Sequence, residues 1–238
     1  MTAQLLDIRG LTVSRGPGDI LRDVDLSVRA GELAVLLGAN GAGKTTLLDA
    51  VSGLVATRAG QIRFDGEEVS GLTRTRRARL GIRHVEQGRA VFGDLTVREN
   101  LAVAAPVERH AEALEPFPEL RKRMHVRAAL LSGGEQQMLV LARALLRPAS
   151  KRAAGTRLLL LDELSLGLAP IVVARLLPLV RSLTDQGITV LLVEQFANLV
   201  LPIADTVHVL DRGAIAFSGS PAELEAVPGV LHKAYLSA

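Results

Sequence analysis

The chain contains no cysteine and no tryptophan, and one tyrosine with five phenylalanines brings its aromatic content to only 3%. Without cysteine there is no disulfide, no thiol nucleophile and no thiolate metal site. With so few aromatics, the stacking surfaces of a nucleic-acid binder are missing, and no nucleic-acid partner is expected. An excess of one charge is also lacking: 28 Lys and Arg face 25 Asp and Glu, a net +3. No uncharged apolar run approaches the ~18 residues that a membrane-spanning helix needs; Leu158–Leu161 and Ile188–Val193 have only strand length. The opening residues show no basic stretch followed by an apolar one, so no secretory leader is expected. These absences leave a soluble intracellular globular protein as the expectation.

What is present suits one large α/β domain, or a core with a small attached subdomain, in 238 residues. Leu5, Ile8, Leu11 and Val13 lead to the turn residues Gly16, Pro17 and Gly18, after which Val24, Leu26 and Val28 alternate with Asp25, Ser27 and Arg29. That pattern predicts an antiparallel hairpin with one buried face. Continuous apolar runs follow at 33–38, 158–162 and 188–194. Strands buried on both faces read this way, as in a parallel sheet covered by helices. Helices are predicted over Lys44–Ser52, Val97–Ala105, Glu135–Leu146 and Ile171–Thr184. The stretch from about 90 to 131, with the helix after it to about 147, reads as a helical subdomain inserted in one domain spanning 1–238. Pro106, Pro116 and Pro118 interrupt it, and Pro148–Thr156 reads as a surface loop. The basic stretches Arg74–Arg83 and Arg121–Arg127 read as solvated helix faces paired with acids; the alternative is a face turned to acidic partners or a membrane surface. The five histidines have no ligand-like spacing, and no metal site beyond Mg²⁺ is expected.

Gly38, Ala39, Asn40, Gly41, Ala42, Gly43, Lys44 and Thr45 fit the pattern G-x-x-x-x-G-K-[ST], directly after an apolar strand and opening a helix with Thr46. Glycines there let backbone N–H groups converge on phosphate oxygens. The helix N-terminus adds positive potential, Lys44 a full charge, and the Thr45 hydroxyl a ligand for Mg²⁺. The second half of such a site is a carboxylate ending another apolar strand, and Leu158–Leu161 run into Asp162 and Glu163. Asp162 can hold Mg²⁺ through water, and Glu163 can reach a water attacking the γ-phosphate.

Leu131, Ser132, Gly133, Gly134, Glu135, Gln136 and Gln137 form a turn opening a helix, with Ser132 as N-cap and Glu135 completing a capping box. In order and spacing with the P-loop and the Asp162–Glu163 strand end, this stretch resembles the LSGGQ-type signature of ABC-transporter ATPases. Within them the chain is most similar to the ATP-binding subunits of branched-chain amino acid importers, through 38–48, 87–101, 131–138, the SLGLAP phrase at 165–170, 191–198 and Ala234, Tyr235 and Leu236. Similar ATPases serve urea and short-amide importers.

The resemblance implies a P-loop NTPase core with an N-terminal antiparallel β-subdomain and an inserted helical subdomain, hydrolysing ATP with Mg²⁺. It implies two such subunits, identical or different, head to tail, so that Ser132, Gly133, Gly134 and Glu135 act on the opposite subunit's nucleotide. It also implies Gln87 as a catalytic and metal-binding residue, two permease subunits as partners, an extracytoplasmic solute-binding protein acting indirectly, and a place on the cytoplasmic face of the membrane. Where most ABC ATPases carry a histidine at the γ-phosphate, this chain has Gln195, which can donate a hydrogen bond but cannot shuttle a proton. Arg15 stands where an aromatic residue commonly stacks on adenine; a guanidinium can stack on a base, and a solvent-exposed hairpin arginine is the other reading. Leu164 replaces the proline that usually follows the catalytic glutamate, and Leu168 the aspartate expected in the inter-subunit loop. A soluble ABC protein of DNA repair or translation is the alternative from another class, but heptad arms and room for a second cassette are absent. A non-hydrolysing partner is a third reading, which Glu163 opposes.

Overall fold

The computed structural model describes residues 4–16, 18–88, 90–146, 154–227 and 229–236. Pro17 and most of the loop expected over Pro148–Thr156 lie outside them. The elements run β1 (Gln4–Arg15), β2 (Gly18–Arg29), β3 (Leu33–Leu37), α1 (Lys44–Ser52), β4 (Ala59–Phe64), β5 (Glu67–Glu68), α2 (Arg74–Leu80) and β6 (Ile82–Val85). Four helices, α3 (Val97–Ala104), α4 (His110–Ala113), α5 (Pro118–Arg121) and α6 (Gly133–Leu145), precede β7 (Leu158–Asp162). Then come α7 (Pro170–Asp185), β8 (Thr189–Val193), α8 (Ala197–Val200), β9 (Thr206–Asp211), β10 (Ala214–Gly219), α9 (Pro221–Ala226) and α10 (Val230–Leu236).

Two sheets carry the fold. The predicted hairpin forms β1 and β2 of an antiparallel sheet ordered β2-β1-β4-β5. The apolar runs become β3, β7 and β8 of a six-stranded sheet ordered β10-β9-β3-β8-β7-β6, parallel except for its β9–β10 edge. Their unbroken hydrophobicity follows from burial on both faces. Leu33, Val35 and Leu37 of β3 join one core with Leu159, Leu161, Val190 and Leu192, beneath α3, α6 and α7. Ala34 and Leu36 join the other with Leu158, Leu160, Leu191 and Val193, together with α1 and the antiparallel sheet. Helix α1 is thereby wedged between the two sheets, and its N-terminus emerges at the carboxyl ends of β3 and β7.

The basic stretch Arg74–Arg83 departs from the solvated face expected of it. Arg77 is only 2% exposed. Its guanidinium donates to the carbonyls of Ala50 (2.6 Å) and Val51 (3.0 Å) at the end of α1, and to those of Ser70 (2.7 Å) and Leu72 (3.0 Å). Hydrogen bonds to four carbonyls offset the cost of burying the cation. Arg83 is half-buried and donates to the Ala78 carbonyl, closing α2 onto β6.

Candidate nucleotide site

Gly43 is the N-cap of α1, with φ 107°, no side-chain hydrogen bond to the first turn, and no acid within that turn. The leading N–H groups of the helix therefore keep their hydrogen-bonding capacity for an anion. Gly38 must be glycine for a second reason: a Cβ there would stand 2.3 Å from the Leu210 carbonyl oxygen. The loop encloses the Lys44 ammonium, which donates to the carbonyls of Gly38 at 2.8 Å and Ala39 at 3.0 Å. Burial lowers the Lys44 pKa, against the opposing pull of Glu163, Asp162 and Glu194.

Above the loop opens a cleft of about 440 Å³. Of the predicted residues, Asn40, Gly41, Gly43, Lys44, Thr45 and Thr46 line it, joined by Gln87, Glu163 and Gln195 from three other segments. Gly38, Ala39 and Ala42 are buried behind the loop as its backbone support. Asp162 ends β7 at 3% exposure, and neither carboxylate oxygen has a hydrogen-bond partner among the described residues. Burial raises its pKa, opposed by the Thr45 hydroxyl and by Lys44, and reinforced by Glu163 and Asp49. Asp162 is not among the residues lining the cleft; an orphaned carboxylate buried just behind that lining, beside the Thr45 hydroxyl, fits a hard cation that keeps most of its ligands from water and phosphate. No cluster of three or more His, Cys, Asp or Glu that could hold a metal occurs among the described residues.

Glu163 follows with φ 48°, a left-handed conformation uncommon outside glycine. Its N–H donates to the Val193 carbonyl at 3.0 Å, and its Oε2 accepts from Gln87 Nε2 at 2.7 Å. Gln87 thus meets the general-base candidate directly and keeps its amide oxygen for a cation.

Ser132 and Glu135 form the capping box read from the sequence. Glu135 N–H donates to Ser132 Oγ at 3.3 Å, Ser132 N–H donates to Glu135 Oε2 at 2.9 Å, and Arg123 Nε reaches Glu135 Oε1 at 3.0 Å. A Cβ on Gly134 would lie 2.5 Å from Val172 Cγ1 of α7, so the glycine permits close packing there. None of Ser132, Gly133, Gly134 and Glu135 is among the residues lining the cleft over this chain's own P-loop. Arg15 is not among them either: its half-exposed guanidinium pairs with the buried carboxylate of Asp49 on α1. Arg15 is thus a solvent-exposed hairpin arginine that is also ion-paired.

Sequence reasoning missed three participants. Ile20 and Leu166 add apolar surface to the cleft wall, and as ordinary aliphatic residues they carry no signal. Glu194 is 1% exposed and receives the Ser165 N–H (2.9 Å) and hydroxyl (2.7 Å), fixing the turn that follows Glu163. Burial raises the Glu194 pKa, and those bonds with the Gln195 N–H oppose the rise.

The ABC transporter family model matches residues 21–165. A high-affinity branched-chain amino acid transport ATP-binding protein, BraG of Pseudomonas aeruginosa, is 44% identical over 91% of this chain and 92% of its own length. LivF of Archaeoglobus fulgidus, a probable branched-chain amino acid transport ATP-binding protein, is 39% identical over 86% of this chain and 87% of its own. Among solved structures, MJ1267, an ATP-binding cassette of an ABC transporter, superposes with a TM-score of 0.87 over 98% of both chains at 24% identity, a likeness of fold. With its P-loop, strand-end carboxylates and signature helix placed as described, the chain belongs to the ABC transporter family, as one of its ATP-binding, ATP-hydrolysing subunits.

Proposed function

We propose that the chain energises an importer of branched-chain amino acids from the cytoplasmic face of the membrane, together with two permease subunits and a second ATPase subunit. An extracytoplasmic solute-binding protein delivers the solute to the permease. The observation that carries the ATP-driven part is the bare N-terminus of α1 facing a cleft where Glu163 and Gln195 converge. The similarity to BraG and LivF along nearly the whole chain supports the choice of solute.

In this reading the α1 N–H groups and Lys44 hold the phosphate oxygens, while Ile20 offers apolar surface on the cleft wall. Asp162, Thr45 and Gln87 hold Mg²⁺, which supplies positive charge against the phosphate oxygens. Glu163 takes a proton from a water whose oxygen bonds to the γ-phosphorus; the bond to the bridging oxygen breaks, ADP leaves with that electron pair, and inorganic phosphate is the other product. Gln195 donates its amide N–H to the γ-phosphate. Ser132, Gly133 and Gly134 offer donors to the partner subunit's nucleotide at the start of α6, and Glu135 fixes that turn. Closing around two nucleotides and reopening after hydrolysis drives the permease.

The deciding experiment is affinity purification of the tagged chain from detergent-solubilised native membranes, followed by mass spectrometry. Two hydrophobic permease subunits and a second ATPase are expected, encoded near a solute-binding protein that takes branched-chain amino acids. A neighbour selective for urea or short amides would redirect the solute assignment. Recovery of soluble partners alone would overturn the transporter reading.

A further inference from the structure

The chain's single tyrosine lies in its last helix, forty residues beyond Gln195. Helix α10 packs on β9 and β10, anchored by Ala234 at 2% exposure. From it, the Tyr235 hydroxyl donates to the Gln195 backbone carbonyl at 2.7 Å. Burial raises the Tyr235 pKa, opposed by the neighbouring Gly38 backbone N–H and reinforced by Glu194. One side-chain oxygen therefore stands at two junctions: the exit of β3 into the phosphate loop, and the bend between β8 and α8.

That bend needs outside support. Gln195 lies beyond the last ladder residue of β8, Val193, and before the first helical residue of α8, Ala197, so its carbonyl is outside both regular hydrogen-bond patterns. Its neighbour Glu194 is tied to Ser165. The Glu194 tie fixes the bend on the Glu163 side; the Tyr235 tie fixes it on the P-loop side.

We propose that Tyr235 is a positioning residue of the ATPase site, its hydroxyl holding the Gln195 carbonyl beside Gly38 so that the Gln195 amide is aimed across the cleft at the terminal phosphate. The C-terminal helix is then part of the catalytic scaffold. This rests on the reading of Gln195 as a γ-phosphate donor. A pre-aimed donor acts in the transition state, so losing the tie should lower kcat and spare ATP binding.

The test is a cycle of Tyr235→Phe, Gln195→Ala and the double variant in the full chain, with ATP hydrolysis measured well below each variant's Tm. Phenylalanine keeps the ring and removes only the hydroxyl, so the packing of α10 is retained and the Tm shift should be small. Loss of one hydrogen bond is expected to lower kcat roughly three- to tenfold, with KM for ATP within about twofold. In the Gln195→Ala background the same substitution should cost nothing further, because the group it aims is gone. An unchanged kcat in Tyr235→Phe overturns the proposal. So does a loss that adds in full to that of Gln195→Ala, which marks a structural effect independent of Gln195. A silent Gln195→Ala beside an impaired Tyr235→Phe overturns instead the placement of Gln195 at the nucleotide, and with it the route assigned to Tyr235.

Discussion

Helix α1 starts at Gly43 with no side-chain acceptor and no acid in its first turn, whereas α6 starts at Ser132 inside a complete capping box. Both N-termini are assigned to phosphate, but they are prepared differently. The α1 end keeps its N–H groups unsatisfied and is supported at its opposite end by Arg77, whose cation sits on the Ala50 and Val51 carbonyls. A positive charge at a helix C-terminus is favourable, so α1 is neutralised where it is buried and left polar where it is open. At α6 the Glu135 N–H occupies one lone pair of the Ser132 hydroxyl, whose O–H faces the Glu135 carboxylate and must turn away from it to donate to an outside anion. One end is a cradle that an anion must complete. The other is a finished structural element that can lend a proton outward.

Separating binding from chemistry at the α1 end gives the largest expected effect. In the proposed mechanism the cradle holds phosphate and Glu163, one residue beyond β7, handles the water. Glu163→Gln should therefore lower ATP turnover by at least about 100-fold while nucleotide affinity persists. Rapid-filtration binding and steady-state hydrolysis on the same preparation check this; turnover within a few-fold of the parent chain would remove Glu163 from the role. At the other end of α1, Arg77→Met leaves four carbonyls without their donor. The expected loss is about 3 kcal/mol of folding stability by urea denaturation. A loss under about 1 kcal/mol would mean that water or backbone movement re-satisfies those carbonyls.

The contrast between the helix ends was only partly legible in the sequence. Gly43 and Lys44 announced a bare helix start, and Ser132 with Glu135 announced a capped one, because both signals lie within four consecutive residues. The apolar runs at β3, β7 and β8 were legible because burial on two faces removes polar residues altogether. Strand β6 was not, since its Arg83 and His84 interrupt the run at the sheet edge. Arg77 was hidden for a related reason: its neighbours Arg74, Arg76 and Arg79 are exposed, and only the tertiary approach of α1 turns one arginine of the group inward. Glu194 and Tyr235 depend on partners about thirty and forty residues away. No local spacing encodes such pairings.

The capped end can be sharpened with an internal control. Thr96 opens α3 with the same device: Glu99 N–H donates to Thr96 Oγ1 at 3.3 Å, and Thr96 N–H donates to Glu99 Oε2 at 2.7 Å. Ser132→Ala and Thr96→Ala remove equivalent caps, so each should cost about 1 kcal/mol, a fall of roughly 2–4 °C in Tm. They should part in hydrolysis. Thr96→Ala should leave turnover within about twofold, whereas Ser132→Ala should lower it by a further tenfold or so, the scale of one charge-assisted hydrogen bond to phosphate. Equal turnover in Ser132→Ala and Thr96→Ala would reduce the signature serine to a helix cap, and the two N-termini would then differ in kind rather than in which nucleotide they serve.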